Sequence, residues 1–280
     1  MANYTTADIK QLREQTGAGM MDVKKALDEA DGDATKAMEI IRVKGLKGLA
    51  KREGRSTSDG LVAAKVSDTA SGQSGVMIEL NSETDFVAKS DKFIALGQQI
   101  LEAAAGLAQA DLDSLLQTQL ADGGTVLGAI ENLAATVGEK LQLRRVAQVQ
   151  GAAVELYLHK TNPDLPPQVG VLLATDQPGS TAAHDVAMHI AAYSPTVLSR
   201  EDVPAETVEN ERRIAEETAK EEGKPEAALP KIVEGRLNGF FKENVLLDQA
   251  FAKDPKLTVG QVMAAAGGQA TAFARFRVGA

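Results

Sequence analysis

Gly75-Val76-Met77-Ile78-Glu79-Leu80-Asn81-Ser82-Glu83-Thr84-Asp85-Phe86-Val87-Ala88 is the stretch on which the reading of this chain turns. Its first six residues form a mostly apolar run of strand length. The run ends abruptly at Asn81-Ser82-Glu83-Thr84, and a lone Phe and Val then follow Asp85. A phenylalanine in a polar loop has little local chain to bury it. Either the fold takes it in or a partner does, and burial statistics alone favour the fold's own core.

Outward from that stretch, the balance of residues is that of a globular protein. The chain has 280 residues, 44% hydrophobic and 25% charged, enough for about two domains. Aromatics at 4% and the absence of Trp leave Leu, Val, Ile and Ala to fill the core. A net charge of -9 and a pI near 5.0 argue against broad nucleic-acid binding by phosphate neutralisation, although a local basic patch is compatible with them. Without Cys there is no disulfide or thiolate chemistry, which suits a reducing compartment. The opening Met1-Ala2-Asn3-Tyr4-Thr5 lacks the basic and apolar regions of a signal peptide. No apolar run approaches the ~18 residues of a membrane span. A cytoplasmic protein is the expectation.

Residues 3 to about 45 read as three short helices. Thr5 and Asp8 have capping-box spacing, Ile9, Leu12 and Thr16 share a face, and Gly17 stops the first helix. Met20, Val23 and Leu27 form a stripe on the second. Asp31-Gly32-Asp33 is a turn whose Asp33 caps the third, where Ala37, Ile40 and Ile41 face inward and Gly45 is the stop. From Lys44 to Arg55, five basic residues among three glycines read as a linker or frayed helix.

The remainder reads as two related halves, each strand, turn, strand, helix, with a further helix and strand. Strands are expected over 61–66, 76–80 and 141–149, and helices over 91–105 and 125–137. The second half carries strands over 154–158, 169–174 and 272–278, with helices over 182–192 and 258–266. Between its helices lies a charged insertion. Residues 207–222 form an exposed helix with Glu209–Arg213 and Glu216–Lys220 at supportive spacing, and Gly223-Lys224-Pro225 breaks it. Ile232, Val233, Leu237 and Phe240 mark a returning helix with Pro230 in its first turn. The expected fold class is α+β, with an antiparallel helical hairpin at about 205–242.

Catalytic signatures do not emerge. Neither common phosphate-binding glycine loop nor a zinc pattern occurs, and no serine sits in a nucleophile elbow. His184 and His189 are five apart, on different faces of a helix, which disfavours a metal pair. Glu83 and Asp85 flank Thr84 without a companion base or nucleophile. The chain reads as one that binds rather than one that makes or breaks bonds.

Several stretches carry a resemblance. Residues 16–27, Thr-Gly-Ala-Gly-Met-Met-Asp-Val-Lys-Lys-Ala-Leu, followed by Ala30-Asp31-Gly32-Asp33, closely resemble the N-terminal signature of the bacterial elongation factor Ts family. Thr84-Asp85-Phe86-Val87-Ala88 is similar to the second signature of that family. Met188-His189 before Ala191-Ala192, Val233-Glu234-Gly235-Arg236 and Thr258-Val259-Gly260-Gln261 resemble further stretches, in order along nearly the whole chain. Two departures stand out. Phe251-Ala252-Lys253 occupies a place where the family often has Phe-Val-Met or a similar apolar run, and Pro230 enters the returning helix.

The resemblance implies a guanine-nucleotide exchange factor for the GTPase elongation factor Tu. It implies a ubiquitin-associated-like (UBA-like) helical domain at 1–55, a core N-terminal subdomain at 56–150, and a core C-terminal subdomain with the hairpin at 151–280. By position, Asp85 and Phe86, flanked by Thr84 and Val87, correspond to the loop that enters between two partner helices and disturbs the magnesium site. Arg13, Met20 and Lys24 correspond to contacts of the first domain, and Val169, Gly170 and His189 to contacts of the second half. No cofactor of its own is implied: GDP, GTP and magnesium belong to the partner. Neither a membrane nor a nucleic acid is an expected partner. The competing readings are an adaptor or chaperone of the same GTPase without exchange activity, an RNA-binding translation protein using the Lys44–Arg55 stretch, and an enzyme using Glu83 and Asp85.

Overall fold

The computed structural model describes residues 3–121, 123–176 and 181–280. Three helices come first: α1 (Thr6–Thr16), α2 (Met20–Glu29) and α3 (Ala34–Arg52). Thr5 and Asp8 close the expected capping box, which lowers the Asp8 carboxyl pKa chiefly through the Thr5 N–H bond. Gly17 ends α1 in the left-handed conformation, at φ 79°. The side chain of Asp33 accepts from the N–H groups of Thr35 and Lys36 at the start of α3. Leu12, Val23, Ala26, Leu27, Ala37 and Ile41 fill the small core.

Two expectations fail here. Met20 does not join the Val23–Leu27 stripe inward; it is 59% exposed, and Ala26 takes its place. Gly45 does not stop α3, and the Lys44–Arg55 stretch is helical as far as Arg52. The reason is tertiary. A Cβ at Gly45 would lie 2.0 Å from the Ala135 carbonyl oxygen, so this glycine is where α3 touches the core. Arg52 adds a bond to the Ala134 carbonyl at 3.4 Å. Docking outweighs the ~1 kcal/mol helix penalty of glycine.

The core begins with β1 (Asp59–Thr69) and β2 (Gly72–Ser82), then α4 (Asp85–Ala88), α5 (Asp91–Ala105), α6 (Leu112–Gln117), α7 (Val126–Val137) and β3 (Gln142–Gly151). Next come β4 (Ala153–His159), β5 (Val169–Thr175) and α8 (Ala183–Tyr193), then α9 (Ala205–Glu221) and α10 (Leu229–Asn244). The short strands β6 (Ala250–Phe251) and β7 (Asp254–Thr258), α11 (Val259–Ala265) and β8 (Ala270–Arg277) follow. Both main sheets are three-stranded and antiparallel, ordered β1-β2-β3 and β4-β5-β8. The fold is α+β, as expected.

The two sheets pack back to back, with helices on both outer faces. Val76, Ile78 and Leu80 meet Phe93, Leu96 and Ile100 on one side. Val62, Met77, Leu172, Ala174 and Phe276 lie between the sheets. Val171 and Leu173 meet Val186, Ile190, Val259 and Met263 on the far side. The central strands β2 and β5 are covered on both faces, which is why β5 and the 75–80 stretch of β2 read as mostly apolar runs. In each half a threonine caps the helix that precedes the last strand: Thr125 before α7 and Thr258 before α11.

Helices α9 and α10 make the antiparallel hairpin around Ala215, Val233 and Leu237. Pro230 sits in the first turn of α10, where its missing N–H costs no helix bond. The ion pairs on α9 differ in part from expectation. Glu216–Lys220 forms at 2.6 Å, but Arg213 pairs with Glu217 at 3.2 Å and Glu209 with Arg212 at 3.8 Å.

Gly45→Ala is expected to weaken the α3–α7 contact by about 1–3 kcal/mol, as overpacking does. A urea titration followed by circular dichroism checks it: the midpoint falls, while native helix content before the transition is retained.

Candidate functional site

Strand β2 delivers the chain to a single turn of helix. After Ser82, the polar residues step outward and α4 forms with Thr84 as its N-cap residue. Thr84 does not cap with its own hydroxyl. Its N–H and Oγ1–H both donate to the Glu139 carboxylate, at 3.1 and 2.6 Å. Ser82 Oγ donates to the Thr84 carbonyl at 3.0 Å. Beyond the turn, Ser90 Oγ donates to the Val87 carbonyl at 2.8 Å, and the same hydroxyl caps α5. Ala88 is fully buried and Val87 half-buried against the first core. Braced on both sides, the turn leaves one large apolar side chain outside.

That side chain is Phe86, 73% exposed. The local core reading of this residue is therefore excluded: the fold buries its neighbours and leaves Phe86 out. Lys89 lies over its ring at 4.5 Å and reaches Asp85 at 3.4 Å, so one ammonium group is shared between the two residues. Burial, and then the nearby Asp85 carboxylate, raise the Asp59 carboxyl pKa. Glu83 is committed to the frame, accepting from Arg55 at 3.2 Å and from the Lys140 N–H at 2.6 Å. Lys140 in turn donates to the carbonyls of Glu53 and Arg55, at 2.6 and 3.1 Å. The end of the first helical unit is thus stitched to the base of the loop. The Lys44 and Arg52 side chains are also engaged, with Glu29 and the Ala134 carbonyl.

The residues proposed from sequence divide into three groups. Thr84, Asp85, Phe86 and Val87 are contiguous on the α4 turn, and only Phe86 projects fully. Met20 opens α2 with Met21, at 59% and 62% exposure. Just before them, the end of α1 rests against the start of α5 and the end of α7: Lys92 donates to the Gln15 carbonyl, and the Gly17 Cβ position lies 3.5 Å from Val137. Arg13 and Lys24 are exposed on the same helical unit. The last group is interior. Val169 is a buried strand residue of β5, paired with Arg277 and His159. A Cβ on Gly170 would fall 2.5 Å from Val62 and 2.7 Å from Met77 Sδ, so its position serves sheet-to-sheet approach. Neither offers a partner a surface in this structure.

His189 is likewise interior, 1% exposed, on the outer layer opposite α4. Its Nδ1 accepts from the Ala252 N–H at 3.2 Å, which leaves Nε2 to donate to Gln249 Oε1 at 2.9 Å. The ring stacks on Tyr193 at 4.6 Å. Around it, Phe251 is buried in the second core and Lys253 pairs with Asp185 at 2.7 Å. The polar departure at Ala252-Lys253 is therefore the exposed turn between β6 and β7, beside a retained buried Phe.

Sequence reasoning missed Lys89 and Glu139. Lys89 stands at i+4 from Asp85, a readable helical spacing. Glu139 lies 55 residues from Thr84, and no local signal announces it. Among the described residues, no group of three or more His, Cys, Asp or Glu side chains could hold a metal ion, and no helix is long and apolar enough to cross a membrane.

Glu139→Ala leaves two donors of Thr84 without an acceptor and is expected to cost about 1–3 kcal/mol, read from urea unfolding. Burial holds the His189 pKa below its ordinary value of 6.5. The unfolded chain then takes up the proton first, so stability is full above pH 6.5 and declines as pH falls below it. Thermal melts across that window are expected to show the decline in the wild type and a flatter profile in His189→Gln.

A profile of the family described as Elongation factor TS matches residues 83–280. Elongation factor Ts of Beutenbergia cavernae is 65% identical over 282 residues, covering 100% of both chains. That of Micrococcus luteus is 67% identical over 282 residues, with the same coverage. At 58% identity over 280 residues, the Kineococcus radiotolerans protein also aligns with 100% of both chains. The chain belongs to the elongation factor Ts family, whose members act in protein biosynthesis at translation elongation.

Proposed function

We propose that this protein is a guanine-nucleotide exchange factor for elongation factor Tu, acting in the cytoplasm. The observation that carries the reading is Phe86: a large apolar side chain, 73% exposed, on a turn braced by Glu139, Ser82 and Ser90, within the family's Thr84–Ala88 motif. A braced exposed Phe is suited to entering a preformed gap in a partner, since the turn loses little conformational freedom on docking. The Asp85-Phe86 step inserts near the partner's magnesium and nucleotide site. Met20, with Arg13 and Lys24, adds contacts from the UBA-like domain at 1–55. The units at 56–150 and 151–280 hold the loop as core subdomains. GDP, GTP and magnesium are the partner's ligands, and this chain needs no cofactor and makes no bonds itself.

Magnitudes divide the labour. Burying one Phe supplies roughly 1.5–3 kcal/mol, about one to two decades in an equilibrium constant. Larger weakening of nucleotide needs the other contacts to fix the loop. Coupling is reciprocal: if this protein loosens the nucleotide, incoming nucleotide loosens this protein by the same factor. That lets GTP displace it and allows it to recycle.

Stopped-flow release of fluorescent GDP from elongation factor Tu tests the reading. Wild-type protein accelerates release, and Phe86→Ala is expected to reduce the acceleration by about 10- to 100-fold. Because Phe86 is exposed, the same variant should unfold within about 0.5 kcal/mol of wild type. Binding without acceleration would leave an adaptor. Steeply salt-dependent RNA binding lost on neutralising Lys47 and Lys51 would favour an RNA-binding protein.

A further inference from the structure

Glu79 is the one acidic residue in the apolar run that leads to the loop, and its side chain is fully buried. It lies on β2 directly before Leu80-Asn81-Ser82, at a bulge between Glu79 and Leu80 in the pairing with β3. Opposite it stands Arg145, whose Nε donates to Glu79 Oε2 at 2.5 Å. Arg144 approaches Oε1 at 4.0 Å, the Asn81 side-chain amide donates to it at 3.1 Å, and the Gly279 N–H donates to it at 3.3 Å. The same Asn81 amide reaches the Asp59 carbonyl of β1 at 3.3 Å. Arg145 also donates to the Arg277 carbonyl at 3.1 Å and lies 4.5 Å over the Phe276 ring.

One carboxylate therefore joins β2 and β3 of the first sheet to the segment leaving β8 of the second. It does so immediately before β2 becomes the exchange loop. A buried ion pair is seldom the most stable choice at a core position; its attested use is to fix one arrangement among several. A bulge at such a point re-aims the strand that follows. We propose that Glu79 is a positioning residue for exchange: its carboxylate locks the bulged end of β2 to both sheets and so sets the direction in which Asp85 and Phe86 leave the fold. The second sheet then acts on the loop through Arg277, Phe276 and Gly279, without touching the partner. This inference rests on the exchange reading above.

The test uses the full chain with elongation factor Tu and fluorescent GDP, titrating this protein to saturation. Glu79→Gln keeps the shape of the side chain and removes its charge. Gly279→Ala leaves Glu79 intact but displaces the Gly279 N–H, because φ is +76° and a Cβ would lie 2.7 Å from the Ser58 carbonyl oxygen. For Glu79→Gln the saturating release rate is expected to fall about tenfold or more, in keeping with the ~10²-fold cost of a ~1 Å misplacement. The half-saturating concentration should stay within about twofold, because docking surfaces elsewhere are untouched. Gly279→Ala should shift the same parameter in the same direction, by less. Adding Phe86→Ala to Glu79→Gln should cost less than Phe86→Ala alone, because the loop is already misdirected.

An unchanged saturating rate in folded Glu79→Gln overturns the proposal, as does a change confined to the half-saturating concentration. Multiplicative effects of the two substitutions overturn it too. If Glu79→Gln does not fold, Gly279→Ala decides: a wild-type saturating rate in that variant refutes the link. Should wild-type protein itself fail to accelerate release, both readings fall. Acceleration that survives both variants removes only this one.

Discussion

The structure depends on how closely its two sheets approach. Gly170 on β5 lies under Val62 and Met77, and Gly75 on β2 lies under Val154 and Leu172, where a Cβ would come within 2.8 Å of Val154. Each central strand thus gives up a side chain at the point where the other sheet presents one. That reciprocity lets β2 and β5 be buried on both faces and pushes every helix to the outside. A larger residue at either glycine would lever the layers apart, since close-packed interiors have no slack for an added methyl group.

From that stack the Thr84–Ala88 turn takes its support. Val87 and Ala88 are anchored in the outer core, Thr84 is bonded to Glu139, and Glu83 is bonded across to Arg55 and Lys140. Phe86 is the exception in a segment whose other members are all tied down. The first helical unit shares the frame through Gly45, Arg52 and Lys92 rather than hanging from a free linker. Its two exposed methionines open α2 just after the end of α1 that Lys92 ties to α5, so the fold and not a free tether sets where they lie.

What could be read from the sequence was whatever is set by near neighbours. The Thr5–Asp8 box, the Asp33 cap and the Gly17 stop are local chemistry and appear as read. The helix at Asp91–Ala105 has a strong apolar stripe, and its bounds coincide with the reading. Failures gather where a distant partner decides. Gly45 looks like a stop until Ala135 is placed against it. Met20 fits the stripe by spacing, yet Ala26 is enough to close so small a core. What surrounds Gly170 and His189 is equally non-local: Val62 and Met77 of the other sheet for one, the Gln249 side chain and the Ala252 N–H for the other. Phe86 was ambiguous by composition, and only the burial of its neighbours shows that the fold has no room for it.

The bond from Gly279 to Glu79 joins groups 200 residues apart. During synthesis from the N-terminus, domains tend to fold as they emerge. A nascent chain that has reached only β3 holds the loop, its Phe and the Glu79–Arg145 pair, but not the strand and segment that close over that carboxylate. Loop-closure entropy rises only slowly with separation, so the late contact costs little more than a nearer one once the second sheet is present. Its consequence is one of order in time: the last bond to Glu79 can close only after β8 and Gly279 have been made, long after the loop itself.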